Sequence, residues 1–127
     1  DPDWQSYSLN QVAIDVLEVR IEAGTEDSRV YLLQADTYLK VGLPLLAQER
    51  YEEALTSAQA AGQAEIQAES HWGLADVAQG QTEYALALNH LQMAQALYEN
   101  LGNLEQATEL QTQIAALEMQ LPQSASE

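Results

Sequence analysis

The chain has 127 residues, enough for one domain, and its 46% hydrophobic content lies in the range of globular proteins. Four Lys and Arg against 20 Asp and Glu give a net charge of -16, which excludes the basic surface that nucleic-acid binding requires. There is no Cys, which excludes disulfides and thiolate metal sites, and no apolar run reaches the roughly 18 residues of a transmembrane helix.

The spacing of the apolar residues predicts six helices and no strand. A polar lead-in over 1–7 precedes the first helix, and a small polar tail over 122–127 follows the last. No linker is long enough to divide the chain, which is therefore predicted to be a single domain over 1–127. The predicted helices span 8–24, 26–41, 44–61, 64–79, 83–100 and 104–120.

Glycine, proline and polar caps mark the predicted helix ends. Gly42 and Gly62 are expected to end the second and third helices, and Pro44 suits the first turn of the third. Acidic residues are expected in the first turn of the second helix, where they face the positive end of its dipole. Thr82 and Asn103 are expected to cap the fifth and sixth helices through their side-chain oxygens.

The packing positions of the chain recur at an offset of 40 residues. Small residues at these positions let neighbouring helices approach closely, and a fixed period of about 20–50 residues indicates stacked supersecondary units. The matched pairs that carry this offset are Ala35/Ala75, Ala47/Ala87, Ala54/Ala94 and Gly62/Gly102.

The pattern resembles the tetratricopeptide repeat, which alternates large and small residues in a first helix and places small–large–small residues in a second. Gln34 and Thr82 depart from it, and the 40-residue offset exceeds the usual spacing of about 34 residues. The residues that carry the resemblance are Tyr31, Ala35, Tyr38, Gly42, Ala47, Tyr51 and Ala54 in one unit and His71, Leu74, Ala75, Ala78, Ala87, Leu91 and Ala94 in the next.

The resemblance implies an all-α fold of antiparallel helical hairpins, stacked as a right-handed superhelix. It covers nearly the whole chain: a truncated repeat over 8–24, repeats over 25–62 and 63–102, and a half repeat or capping helix over 103–121. A closed four-helix bundle is the alternative, which explains the amphipathic helices but not the shared offset.

In that family the first helix of each unit lines a concave face, which takes an extended peptide or a helix. By position this face would also hold Arg29, Glu69, Gly73, Glu109, Thr112, Gln113 and Ala116. Trp72 is either an anchor for a partner or a tryptophan half-buried between helices, and the acidic stripe of Asp36 and Asp76 either faces a partner or is simply solvated. The predicted partner-binding residues are Leu32, Leu33, Asp36, Leu39, Lys40, Trp72, Asp76 and Gln79.

Catalytic and metal chemistry find no support in the sequence. Ala68 and Ala87 lie three residues before His71 and His90, so the Glu-x-x-His pattern of di-iron bundles is missing. We expect His71 in the core and His90 on the surface. No glycine-rich phosphate loop or nucleophile motif occurs, and we predict no enzyme activity, no cofactor and no metal.

The predicted function is a non-catalytic scaffold that binds a protein or peptide of basic and apolar character. The alternative is a structural segment that extends a larger superhelix or self-associates, which an uncovered apolar side of the sixth helix at Leu110, Ile114 and Leu117 would favour. The chain begins at Asp1 without a signal-peptide pattern, from which we expect a piece of a longer protein. Its compartment stays open, with the cytoplasm slightly favoured, and we predict no binding to nucleic acid and no membrane insertion.

Overall fold

A computed structural model describes residues 27–121, and the predicted lead-in, first helix and tail lie outside the described residues. All the secondary structure in the described range is helical, which confirms the all-α class. Each helix begins and ends within two residues of its predicted bounds. The five helices are α1 (Ser28–Lys40), α2 (Pro44–Ala61), α3 (Ala64–Gly80), α4 (Tyr84–Leu101) and α5 (Leu104–Glu118).

The backbone of the turns repeats at the same offset as the sequence. Gly62 and Gly102 end α2 and α4 in the left-handed conformation, with φ of 69° and 78°. Thr82 was expected to cap α4, and this prediction is wrong: Thr82 has φ of 60°, the left-handed conformation that Gly42 adopts in the preceding unit. The N-cap residue is Glu83, which makes no side-chain capping bond. The turn requires a left-handed residue before the cap, and Thr82 occupies that position.

Two other predicted helix starts differ from the structure in detail. No acidic residue lies in the first turn of α1; Asp27 instead caps the helix, and its carboxylate accepts a hydrogen bond from the Arg29 amide at 2.9 Å. Asn103 does occupy the N-cap position of α5, but its side chain makes no capping hydrogen bond. Pro44 begins α2, as predicted.

Each helix packs against the next along the chain, and α1 also contacts α3. The core consists of two buried clusters, one joining α1, α2 and α3 and the other joining α3, α4 and α5. Because α3 contributes one side to each cluster, it is the helix that connects the two units. The buried positions of α2 and α4 correspond one to one, as Ala47/Ala87, Tyr51/Leu91, Ala54/Ala94 and Ala58/Tyr98.

The two units come into close contact at Gly73 of α3. A Cβ atom built on Gly73 would overlap the ring of Tyr51, which packs from α2 onto this part of α3. The Tyr51 hydroxyl donates a hydrogen bond to Asp36 on α1, with an O···O distance of 2.5 Å. One tyrosine therefore contacts α1 and α3 from α2, and glycine at position 73 leaves the space for its ring.

Gln34, a departure from the repeat pattern, is completely buried in α1. Among residues 27–121, neither its amide nitrogen nor its carbonyl oxygen has a hydrogen-bond partner, and the same holds for the hydroxyl of the buried Ser70. Leu74 stands at the position of Gln34 in the next unit. Burying an amide without partners costs about 1–3 kcal/mol, so Gln34 is a weak point of the first unit.

We expect Gly73→Ala to lower the free energy of unfolding by about 1–3 kcal/mol, because the added methyl group overpacks against the Tyr51 ring. This loss exceeds the gain of up to about 1 kcal/mol that alanine brings to a helix. Gly80→Ala is the matched control, since nothing lies within 4 Å of a Cβ at that position, and it should be neutral or stabilising. Urea denaturation of both variants measures the difference; equal stabilities would contradict the close contact.

Gln34→Leu should raise the free energy of unfolding by about 1–3 kcal/mol, because it removes two unsatisfied buried groups at similar volume. Thermal and urea denaturation measure this change. Gln59→Leu on the exposed side of α2 is the control, and should stay within about 0.5 kcal/mol of the original chain. Loss of stability in Gln34→Leu would mean that the amide is satisfied in solution.

Candidate partner-binding face

Polar and exposed side chains follow one side of α1 and of α3 at spacings of three and four residues, which places them on one face of each helix. The residues at equivalent positions include Asp36 and Asp76, and Arg29 and Glu69. We call this surface the first-helix face. It comprises Arg29, Leu33, Asp36 and Lys40 on α1, Glu65, Glu69, Trp72, Asp76 and Gln79 on α3, and Glu109 and Gln113 on α5.

Carboxylates of α1 and α3 interact across the first-helix face. Partial burial and the charge of Asp36 raise the pKa of Asp76 to about 6. Partial burial, followed by the charges of Glu65 and Asp36, raises the pKa of Glu69. Among residues 27–121 the ion pair present is Arg50–Glu53, on α2. The four carboxylates thus lie within electrostatic reach of one another, and no described Lys or Arg forms an ion pair with them.

Asp36 is the carboxylate of this group that a hydrogen bond from the core holds in place. Burial raises its pKa, and the hydrogen bond from the Tyr51 hydroxyl opposes that rise. Burial, this hydrogen bond and the charges of Asp36 and Asp76 together raise the pKa of Tyr51, so its hydroxyl stays a donor. The hydrogen bond orients the Asp36 carboxylate on the packed core below it.

Trp72 connects α3 to both helices that follow it. Its indole N–H donates a hydrogen bond to the side-chain oxygen of Gln113 on α5, at 3.1 Å. Its ring meets the Tyr98 ring edge-on, with centroids 6.0 Å apart and planes at 77°. The structure thus places Trp72 half-buried between helices; whether it also anchors a partner stays a prediction.

The remaining predicted residues divide between core and surface. Leu32 is buried in the first cluster, and Leu39 is half-buried against it. Leu33 is 56% exposed, and Lys40 and Gln79 are exposed as well. In the free chain a partner can therefore reach Leu33, Asp36, Lys40, Asp76 and Gln79 directly, whereas Leu32 mainly supports the helix from below. That these residues bind a partner stays a prediction.

A cavity of about 530 Å³ lies between the start of α1 and the start of α3, beside two acidic residues of α3. Leu32 and Ile66 provide apolar walls, and Arg29, Glu65 and Glu69 provide charged ones. The predicted partner-binding set did not include Glu65 or Ile66. The signal for Glu65 was present, because it precedes Glu69 by four residues and so lies on the same side of α3.

The two histidines lie together, between α3 and α4. His71 is buried as expected, but His90 is half-buried rather than on the surface, because its Nδ1 atom lies 3.0 Å from Nδ1 of His71. Residues 27–121 contain no group of three or more His, Cys, Asp or Glu side chains arranged to hold a metal ion. Within the same range, every helix is too short or too polar to cross a membrane.

Comparisons with known proteins do not assign the chain to a family. Family models, curated proteins and solved structures were compared with it, and none of them matches. The function is therefore inferred from the first-helix face alone.

Asp76→Asn should raise the free energy of unfolding at neutral pH by about 0.5–1 kcal/mol, because it removes a charge that partial burial and the neighbouring Asp36 both oppose. Folded Asp76 binds its proton more tightly than in the unfolded chain, since its pKa is raised from 3.8 to about 6. The advantage of asparagine should therefore be complete above pH 6 and disappear as the pH falls from 6 toward 3.8.

Urea denaturation of Asp76→Asn at several values of pH between about 5 and 8 measures this dependence. The control is Glu49→Gln, which removes one charge from the exposed surface of α2 and should change stability by less than about 0.5 kcal/mol. An advantage of Asp76→Asn that does not vary with pH would contradict the raised pKa.

Proposed function

We propose that the chain is a non-catalytic protein-interaction module, whose first-helix face binds a segment of another protein in which apolar side chains are flanked by Lys or Arg. The observation that carries the proposal is the grouping of Asp36, Glu65, Glu69 and Asp76 on two neighbouring helices without an ion-pair partner among residues 27–121. This extends the prediction made from the sequence, which rested on Asp36 and Asp76.

The grouping of these carboxylates works against folding. Burial raises the pKa values of Glu69 and Asp76, and the charge of Asp36, with that of Glu65 for Glu69, raises them further. Surfaces can readily be changed to relieve such repulsion, so charges kept at a cost in stability often serve binding. A cationic segment would remove the repulsion on binding, and the acidic face would also speed its approach.

Apolar contacts would supply most of the affinity. Leu33 stands exposed on α1 three residues before Asp36, where an apolar side chain of the partner could cover it. The cavity walled by Leu32 and Ile66 lies beside Glu65 and Glu69, so a second apolar side chain could enter it next to a Lys or Arg. The face therefore offers apolar sites close to negative charge.

We also propose that the two units stack as tetratricopeptide-like hairpins, with α1, α3 and α5 on the concave side. The repeated left-handed turns, the matching buried positions of α2 and α4 and the contact of α1 with α3 support this arrangement. A concave surface would bring the partner into contact with both Asp36 and Asp76 at once.

The alternative function is a structural segment that self-associates or extends a larger assembly. The apolar side of α5 does not favour it, because Leu110, Ile114 and Leu117 are all buried against the second cluster. Exposed Leu45 and Leu46 at the start of α2 do favour it. Analytical ultracentrifugation tests this alternative: association that Leu45→Glu abolishes would support it, and a monomer at all concentrations would not.

The binding proposal can be tested with a short amphipathic peptide of Leu and Lys, and a twin in which Glu replaces every Lys. We expect the Lys peptide to bind and its twin not to bind. The double variant Asp36→Asn with Asp76→Asn should bind the Lys peptide about tenfold more weakly or worse, equivalent to about 1.4 kcal/mol. Fluorescence anisotropy measures this affinity. Leu33→Ala should weaken it too, with no change in the salt dependence.

The control removes the same number of charges elsewhere, through Glu49→Gln on α2 and Glu118→Gln on α5, both exposed and outside the first-helix face. Since both double variants have the same net charge, equal losses of affinity would indicate non-specific attraction and refute the site. Raising the salt from about 0.1 to 1 M shortens the screening length from about 10 to 3 Å, and should weaken binding without abolishing it.

A further inference from the structure

The contact between His71 and His90 joins α3 to α4 at a place that the proposed partner-binding face does not use. The two Nδ1 atoms are 3.0 Å apart, and the ring centroids lie 5.3 Å apart with the planes tilted by 34°. The equivalent positions in the first unit hold Tyr31 and Arg50. Of the two hairpins in residues 27–121, the pair of histidines therefore belongs to the α3–α4 hairpin.

A hydrogen bond between two Nδ1 atoms needs one ring that donates its N–H and one that accepts with a lone pair. One neutral and one protonated ring can still form this bond, with the imidazolium as donor. Two protonated rings cannot, because both Nδ1 atoms then carry hydrogen and the rings carry like charges. The hydrogen bond between the two rings therefore persists when one proton is added to the neutral pair, but not when two are added.

Burial of the two rings outweighs the acidic groups around them. Burial, followed by the charge of His90, lowers the pKa of His71 to about 4. Burial also lowers the pKa of His90, and the charge of Glu52 on α2 opposes that change. His90 lies in a cleft of about 290 Å³ bordered by α2, α3 and α4, whose charged walls are Glu52 and Glu83. The Glu52 carboxylate already accepts a hydrogen bond from Gln48.

We propose that the His71–His90 contact is an acid-sensitive latch on the α3–α4 hairpin, closed while at least one ring is neutral and released when both rings are protonated. Rings freed into water take up protons near pH 6.5. The open form therefore binds more protons than the closed form below that pH, and opening becomes easier by up to about tenfold per pH unit for each ring.

Release of the latch would also affect the first-helix face. His71 directly precedes Trp72 and Gly73, which contact Tyr98 of α4 and Tyr51 of α2. If α3 separates from α4, Trp72 loses its contact with Tyr98, and the position of Glu69 and Asp76 opposite Asp36 depends on the contacts of α3 with α1 and α2 alone. Acid would thus loosen the face through the hairpin that carries half of it.

The absence of Cys from the sequence allows a direct test, because a single introduced thiol reports the opening of its own hairpin. Ala87 and Ala47 are equivalent positions in the two hairpins, and both are completely buried. Ala87→Cys and Ala47→Cys would each be reacted with a dipyridyl disulfide between about pH 7.5 and 5.5. The labelling rates are corrected for thiol ionisation with a short cysteine peptide.

We expect the opening of Ala87→Cys to increase at least about tenfold over this range, and that of Ala47→Cys to change less than about twofold. The carboxylates with raised pKa values, Glu69 and Asp76, act in the opposite direction and cannot produce this increase. An equal increase at both positions would mean that the histidines are linked only to global unfolding, which would overturn the latch.

The histidines are tested by adding His90→Gln to the Ala87→Cys variant. Glutamine can still bond His71 but takes up no proton, so the increase should fall several-fold, and His71→Gln with His90→Gln should abolish it. An increase that His90→Gln leaves unchanged would overturn the proposal. Because His90 is half-buried, this variant provides the test even if His71→Gln fails to fold.

Discussion

The packing of the Tyr51 ring on Gly73 is the contact on which the rest of the structure depends. Tyr51 comes from α2, its ring covers the backbone of α3, and its hydroxyl reaches Asp36 on α1. A side chain at position 73 would push α3 away from α2. It would thereby also disturb the contact of α1 with α3. Four of the five acidic residues of the first-helix face, Asp36, Glu65, Glu69 and Asp76, come from α1 and α3. The packing beneath the face therefore opposes the mutual repulsion of these carboxylates. The hydrogen bond from Tyr51 to Asp36 connects the face to that packing.

The first and second units use the same backbone for different side-chain contacts. Leu91 replaces Tyr51 in α4, and Gln113 stands on α5 where Gly73 stands on α3. The second unit therefore has no hydroxyl to reach Asp76, and Trp72 makes the connection from α3 to α5 through its bond to Gln113. Asp36 is thus held by the core, whereas within residues 27–121 no such hydrogen bond holds Asp76. Asp76 costs more to ionise than Asp36, and the core does not hold it by a hydrogen bond from a tyrosine. It is therefore the carboxylate whose charge a cationic partner would stabilise most.

Helix positions could be predicted from the sequence because apolar spacing, glycine and proline act locally. The prediction of Thr82 as a cap was wrong, because the left-handed turn residue is fixed by the whole turn and not by cap preference. His90 was misplaced because its environment comes from His71 on another helix, which spacing along α4 cannot reveal. Leu32 was assigned to a binding face that position alone implied, whereas packing against α2 and α3 buries it. Contacts across helices were the part that a single sequence could not provide.

Protons act on α3 in two opposite ways. The raised pKa values of Glu69 and Asp76 mean that the folded chain takes up their protons more readily than the unfolded chain, so mild acid relieves the face. The lowered pKa values of His71 and His90 mean the reverse, so the same acid strains the hairpin. The face and the histidine pair share one helix, which contributes to both buried clusters. By the two proposals, acid would therefore lower the negative charge that attracts a cationic partner while it loosens α3 from α4. Both changes would oppose binding, even though their effects on stability have opposite signs.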